Sequence, residues 1–442
     1  MPAEGRVPLG IEREWGGHTL DTFELRRVHV SDVTFGEKSS FSRGILTINA
    51  DDVRSVVLQD RFIKSVDVQI ARPGEEKRIV PIKDILEPRA KANGDPVFPG
   101  CGTEPDYIAG TGSTVVLDGV CVVTTGTMVN FQEGLVDMTG PGAEYSLFSG
   151  KINVALVIAP VDGLGKHEHE RAVRLAGINV ARYLGSLAVE AEYEPEIYPA
   201  TSPFDFPELP KVVYVCQIIA QGLLHDNYIY GLNAQGCLPV LFRPTEFMDG
   251  AVVSGNCAAP CHKHTTYHHQ NNPIVEDLYS EHGKTLNFAG VIVAPVRTAF
   301  ADKERICRQI AKMAEMLGTD GVILSEDGGG NPEVDLMLTT RLLERSGIKT
   351  VIVTDEYAGS DGASAGLADV TPEADAVVTN GNGNQRVTLP PLSVIGDIRT
   401  VERITGGHAG GLHDDGSIDM EIAGIMGSTN ELGAESLTTV LI

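Results

Sequence analysis

Asn153-Val-Ala-Leu-Val-Ile-Ala-Pro160 is a run of apolar residues with one polar position, at its start. A run without polar alternation suits a strand buried on both faces, as in the parallel sheet of an α/β domain. A helical pattern follows from about His167 to Leu184, then the strand Lys211-Val-Val-Tyr-Val-Cys216-Gln-Ile218 and the strand Cys237-Leu-Pro-Val-Leu-Phe242. The same order returns further on. Gly290-Val-Ile-Val-Ala-Pro295 reads as a strand, Lys303 to Leu317 as a helix, Gly321-Val-Ile-Leu-Ser325 as a strand, Pro332 to Arg345 as a helix and Lys349-Thr-Val-Ile-Val-Thr354 as a strand.

The two halves read as copies. Ile158-Ala-Pro-Val161 answers Val293-Ala-Pro-Val296 at an offset of 135 residues, and Val240-Leu-Phe242 answers Val351-Ile-Val353 at an offset of 111. The difference matches an extra proline- and acid-rich segment near Glu190 to Pro210. Repetition at this scale predicts two Rossmann-like βαβαβ lobes that look duplicated, over residues 151–256 and 257–442. In the second half Ile306, Ile310, Met313 and Leu317 form one apolar helix face, with Cys307 beside it as a buried thiol. Asn331 reads as the cap of the next helix, Pro332 as its first turn and Gly347 as its stop.

Before the lobes the pattern is that of strands. Phe23 to Val30, Gly44 to Ile48, Phe62 to Ile70 and Arg78 to Ile82 are short and rich in β-branched residues, with Pro73-Gly74 as a turn. A strong apolar strand spans Thr114 to Val123. This predicts a β-rich N-terminal domain over residues 23–150, preceded by a tail or extension over 1–22. The glycine-rich loop between them holds Cys101 and Glu104 as minor candidates for a site edge. Gly110-Thr-Gly112-Ser lacks the third glycine and the following helix of a dinucleotide fingerprint, so no nucleotide cofactor is predicted.

Composition narrows the function class. A net charge of −25 opposes binding to nucleic acid or to an anionic membrane. No apolar run approaches the roughly 20 residues that cross a bilayer. The N-terminus has no apolar core of a signal peptide. Seven cysteines, odd in number and scattered, suit a reducing cytoplasm rather than a disulfide framework.

The predicted boundary between lobes carries the most unusual stretch: Gly255-Asn256-Cys257-Ala-Ala-Pro260-Cys261-His262-Lys263-His264-Thr265-Thr-Tyr-His268-His269. It has no helical or strand period, and three chemistries can use it. Cys257, Cys261, His264 and His268 offer thiolate and imidazole ligands for zinc. The stretch can equally be an ordinary loop with one reactive thiol. Or the Cys257 thiol attacks the adjacent Asn256 carbonyl, converting the amide to a thioester. Loss of the thiocarboxylate would then leave dehydroalanine and, after hydrolysis, a pyruvoyl ketone able to form a Schiff base with an amine.

Ligands of open parallel sheets bind beyond the carboxyl ends of the strands. Those ends carry Glu326-Asp327-Gly328-Gly329-Gly330 and Asp355-Glu356-Tyr357, with Glu246 at the equivalent place in the first half. The acids suggest a cleft for a cationic amine, solvated loop carboxylates being the alternative. The glycine run offers N–H groups to a carboxylate. His408, set among glycines, is a candidate acid–base residue.

Gly255-Asn256-Cys257, Thr265-Thr-Tyr-His-His-Gln-Asn-Asn-Pro273, Leu25-Arg-Arg-Val-His-Val30 and Val33-Thr-Phe-Gly36 together resemble the component B alpha/beta proprotein of the glycine/sarcosine/betaine reductase complex, related to the D-proline reductase proprotein. The resemblance runs from about residue 23 to the C-terminus. It implies cleavage before Cys257 and a cysteine-derived pyruvoyl group on the segment 257–442. It also implies a separate component B subunit that contributes selenocysteine. The amine substrate condenses with the carbonyl and the selenolate attacks its α-carbon. The carboxymethyl group then passes to selenoprotein A and to an acyl-transferring protein C, with thioredoxin supplying electrons. On this reading Asn256 and Cys257 form the cleavage site. Glu326, Asp355 and His408 serve the chemistry, and Glu246, Asp327, Gly328, Gly329, Gly330, Glu356 and Tyr357 line the substrate site.

Overall fold

The computed structural model describes residues 14–15, 18–19, 22–92, 96–101, 109–130, 132–222 and 224–430. Most of the expected N-terminal tail, and Glu104, lie outside these residues. The fold is mixed α/β, with several sheets and helices.

Two six-stranded sheets dominate. In the first, the strands run in the order Gly134–Asp137, Lys77–Leu86, Val120–Gly126, Ile152–Pro160 and Ile63–Ala71, and Ser393–Gly396 joins alongside Lys77–Leu86. The decisive apolar run therefore belongs to this sheet. Ile152–Pro160 pairs parallel with Val120–Gly126 and antiparallel with Ile63–Ala71. It is buried on both faces, as the sequence requires, but its neighbours come from the β-rich segment. The helix Lys166–Ser186 packs on the sheet through Ala172, Val173, Ala176, Val180, Ala181 and Leu184. Gly177 lets it approach closely, since a Cβ there would stand 2.8 Å from Thr124 Cγ2.

The expected single strand Thr114 to Val123 is two strands, Gly112–Asp118 and Val120–Gly126. They part at Gly119, whose φ of +87° sends the chain from a smaller sheet into the first large one. The smaller sheet runs Glu194–Pro199, Thr22–His29, Gly112–Asp118, Arg89–Lys91.

The second large sheet runs Val240–Phe242, Asn287–Val296, Lys211–Ile219, Gly321–Ser325, Lys349–Glu356, Val377–Asn382. All of its pairs are parallel except the first. This corrects the expectation of two lobes. Lys211–Ile219, read as part of the first copy, lies between Asn287–Val296 and Gly321–Ser325 of the second, so the strands of both form one doubly wound sheet. The similar runs Ile152–Pro160 and Asn287–Val296 reflect burial on both faces, the first in one large sheet and the second in the other, not two copies of a unit. Helices Phe300–Leu317 and Asn331–Arg345 cover one face, where Ile306, Ile310, Ala314, Leu336 and Leu343 meet Val213, Val215, Ile292 and Leu324. Helices Pro244–Asp249 and Pro273–Glu281 cover the other through Phe247, Met248, Ile274 and Leu278. The cap of Asn331–Arg345 is Gly330, one residue before the expected Asn331, and Glu333 reaches back to its N–H at 2.7 Å. Cys307 is buried against the Asp335 carbonyl, as read from the sequence. Among the described residues, no helix is long and apolar enough to cross a membrane.

Candidate functional site

The segment Ser254 to Thr265 runs between the two large sheets. At its start it is tied twice to one strand of the first sheet. The Cys257 N–H donates to the Lys83 carbonyl at 2.9 Å. Asp84, the next residue on that strand, accepts from Thr266 N at 2.9 Å and from Thr266 Oγ1 at 2.6 Å, and Thr266 Oγ1 in turn accepts from Ser254 N at 2.9 Å. Both ends of the Ser254–Cys257 segment thus hang from Lys83 and Asp84. Lys83 is itself fixed by a fully buried ion pair with Glu133 at 2.6 Å.

Gly255 closes the segment from the other side. A Cβ there would stand 2.6 Å from the Asp226 carbonyl oxygen and 3.2 Å from Glu170 Oε1. Gly255→Ala is expected to push the next peptide bond out of register. A misplacement on the order of 1 Å costs a reaction about 100-fold. A time course of chain cleavage, with circular dichroism as the control for folding, checks this; an unchanged rate would mean that the segment's position is unimportant.

Cys257 is fully buried, and Asn256 is 2% exposed with its Nδ2 lacking a hydrogen-bond partner among the described residues. Burial pushes the Cys257 thiol well above the ordinary range, and the Asp84 carboxylate adds to this. The thiol is therefore protonated at neutral pH and needs a base. Burial lifts the Asp84 carboxyl to about 7, against the two hydrogen bonds from Thr266.

The rest of the segment sits on the carboxyl ends of the second sheet. Asp327 accepts from His264 N at 2.8 Å, Asn227 Nδ2 at 2.7 Å, Lys263 Nζ at 3.1 Å and Ile219 N at 3.2 Å. Lys263 and Asp327 are both fully buried. Burial alone would raise the Asp327 carboxyl, but Lys263 beside it holds it far below the usual carboxylate range. Cys261 Sγ lies 2.7 Å from Tyr357 Oη, and His262 Nδ1 lies 3.1 Å from Asp355 Oδ2. Ala259 takes a φ of +48° to make the bend that reaches these partners.

Of the acids read from the sequence, Glu326, Asp327 and Asp355 are buried rather than solvated, while Glu246 and Glu356 are half-buried. Glu326 is 2% exposed, with Oε1 3.2 Å from Thr354 Oγ1, and Asp327 is the counter-ion of Lys263. The glycine run is also engaged: Gly329 N–H donates to His262 Nε2 at 2.9 Å and Gly330 N–H to Glu333. Gly328, at φ +95°, lies against Ile219. Glu246 caps its own helix and receives Tyr230 Oη, while Glu356 lies along Gly366. His408 has Ala409, Gly411 and Asp419 as neighbours rather than Cys257. Cys101 is buried against the Gly250 carbonyl.

The four expected metal ligands do not gather. Cys261 groups with His262 and Asp355, and His264 with Cys216 and His269, while His268 turns its Nδ1 to Thr265 Oγ1 at 2.9 Å. Sequence reasoning missed Lys83, Asp84, Glu133, Asn227 and Lys263. The adjacent charges of Lys83-Asp84 inside the apolar strand Lys77–Leu86 were the available signal.

The chain matches the family of glycine/sarcosine/betaine reductase component B subunits over residues 22–440. It is 47% identical over 424 residues to glycine reductase complex component B subunits alpha and beta of Acetoanaerobium sticklandii, covering 94% of this chain and 98% of that one. It is 45% identical to the sarcosine reductase complex component B subunit alpha of Peptoclostridium acidaminophilum, covering 94% and 98%. To the betaine reductase complex component B subunit alpha of that organism it is 37% identical, covering 90% and 95%. No solved structure matches the chain.

Proposed function

Because this chain belongs to the family of glycine/sarcosine/betaine reductase component B subunits, we propose that it is the proprotein of such a reductase, cut between Asn256 and Cys257. The observation that carries this reading is the double suspension of Ser254–Cys257 from Lys83 and Asp84, which holds a thiol beside the Asn256 carbonyl in a dry interior. As Cys257 Sγ bonds to the Asn256 carbonyl carbon, its proton passes to Asp84. The C–N bond breaks and the Cys257 nitrogen takes up a proton. Loss of the Cys257 α-proton then expels the Asn256 thiocarboxylate. One water releases ammonia and leaves a ketone at residue 257, and a second converts the thiocarboxylate to carboxylate and hydrogen sulfide. No oxidant or reductant is consumed.

The surroundings fit a small ketone. Cys257 is packed among apolar side chains including Ile82, Tyr267 and Met426, and the carbonyl of Lys83 bonds to the backbone N–H that the conversion removes. A pyruvoyl group supplies an electrophile that no ordinary side chain offers, reactive toward amines. Its burial in the uncut chain makes this the closed precursor, so substrate access follows cleavage. Of the acids expected to steady the ammonium, Asp355 accepts from Thr429 and faces His262 and Glu326 lies buried against Thr354; on this reading Glu326 takes up the amine's proton once cleavage has opened the site. The amine needs an N–H to condense, which favours glycine or sarcosine over betaine. The partners on this reading are a selenocysteine-bearing component B subunit, selenoprotein A, protein C and the thioredoxin system.

Processed protein treated with borohydride and glycine or sarcosine should gain the reduced amine's mass at the N-terminus of the 257–442 fragment. Glu326→Gln should slow the trapping about 100-fold or more, the scale of a positioned acid–base group, with cleavage intact. Labelling of a lysine instead, or of nothing with any amine, would overturn the reading.

A further inference from the structure

The hydrogen bonds around His269 fix which of its nitrogens is spare. Asn227 Nδ2 donates to Asp327 Oδ2 at 2.7 Å and to the Ile219 carbonyl at 3.2 Å, which makes Asn227 Oδ1 the acceptor end of that amide. Oδ1 receives Lys263 Nζ at 3.0 Å and lies 3.1 Å from His269 Nε2. An oxygen that already accepts can meet Nε2 only as an N–H. His269 Nδ1 is then the atom left to offer, and it is buried without a hydrogen-bond partner among the described residues. An unmet polar atom in the interior costs about 1–3 kcal/mol. Beside the His269 ring stand Cys216 and His264. One ligand atom from each of the three residues lies within 4.8 Å of the others, and Cys216 Sγ is 4.0 Å from His264 Nδ1. All three side chains are fully buried.

We propose that Cys216, His264 and His269 form a binding site for a borderline-soft d10 cation, with Zn²⁺ as the favoured ion and the fourth position left for a water or another ligand. Zinc bonds of about 2.3 Å to sulfur and 2.0–2.1 Å to nitrogen set S and N about 3.6 Å apart at the tetrahedral angle. The present contact closes to that by a shift of about 0.4 Å, within ordinary side-chain adjustment. Asn227 has the position of an outer-sphere partner: it accepts the second N–H of the ligating histidine and so orients the ring. The neighbouring Cys261, His262 and Asp355 make an instructive contrast. They are just as close to one another, but His262 Nε2 accepts from Gly329, its Nδ1–H faces Asp355, and Cys261 pairs with Tyr357. That cluster satisfies itself with hydrogen bonds and offers no spare lone pair on its histidine.

The site does not depend on cleavage, and the test separates the two. Full-length Cys257→Ala chain, stripped with chelator, exposed to Zn²⁺ and desalted, should retain about one equivalent, as a preformed site of this kind binds tightly. Cys216→Ser and His269→Gln should each fall below about a tenth of that, and Cys261→Ser should not. Asn227→Ala should weaken affinity about 10- to 100-fold while keeping the stoichiometry. Co²⁺ in the same chain should show a thiolate charge-transfer band that Cys216→Ser abolishes. Absence of that band, no retained Zn²⁺, or loss on Cys261→Ser with retention on Cys216→Ser would each overturn the proposal, whatever the folding of the other variants.

Discussion

Replacing Cys257 by alanine is expected to leave the chain in one piece and without reductase activity in the assembled complex. Seven cysteines are present, but only Cys257 has its sulfur in a five-membered relation to the Asn256 carbonyl carbon. Cys261, the nearest rival in sequence, is committed elsewhere: its N–H bonds to the Ala423 carbonyl and its Sγ lies against Tyr357 Oη. Cys261→Ala should therefore cut at close to the wild-type rate. Deleting one buried sulfur from Cys257 costs roughly 1 kcal/mol, about the value of a buried methylene, against a folding stability of about 5–15 kcal/mol. Loss of cleavage in that variant cannot then be read as loss of fold. Cys257→Ser keeps a nucleophile able to form the ester and should cut more slowly than wild type. Intact mass is the readout: a single species near 47.2 kDa for Cys257→Ala, two fragments for wild type. Fragments of equal yield from Cys257→Ala would remove the cysteine from the chemistry.

Strand existence was legible in the sequence and strand pairing was not. Ile152–Pro160 and Asn287–Val296 read alike because each is buried on both faces. An apolar run records its burial, and nothing in it names its neighbours. That is why one joined the β-rich segment's sheet and the other a doubly wound sheet, and why a resemblance between them suggested lobes that the pairing does not form. The helix Phe300–Leu317 was readable because its period is internal. Within the site, Asn256-Cys257 was legible from covalent proximity alone. The charges were misread because exposure was assumed for acids after a strand. Asp327 is buried by Lys263, which stands 64 residues earlier and looked like one more polar residue of a histidine-rich loop. Asp84 was hidden in the opposite way, inside a strand whose apolar neighbours drew the attention.

Asp84 is expected to give the chain a stability that falls as pH rises, and Asp84→Asn to reverse the order of the two proteins between acid and alkali. The carboxyl ordinarily titrates at 3.8 and burial lifts it to about 7. A group whose folded pKa is raised contributes its full stability below the unfolded value and loses it as pH climbs through the folded one. The window is therefore from about 4 to about 7, and the loss across it is roughly 4 kcal/mol at 1.36 kcal/mol per unit. Asparagine stays neutral throughout. It can still accept from Thr266 N but offers an amide NH2 where Thr266 Oγ1 donates, a cost of about 1 kcal/mol. Urea unfolding should place the variant slightly below wild type at pH 3.5 and above it at pH 8.5. The same ionisation has the opposite sign for cleavage. A carboxylate can take the Cys257 proton and a carboxylic acid cannot, so the cleavage rate should rise to a plateau above about pH 7 in wild type. In Asp84→Asn it should be slower and should lose that rise. A variant less stable than wild type at both pH values would mean that Asp84 is not the buried acid described here. A variant that keeps the full pH rise in cleavage would show that another group accepts the proton. If both hold as expected, the strand that suspends the Ser254–Cys257 segment also supplies its base, at the expense of fold stability in the pH range where that base works.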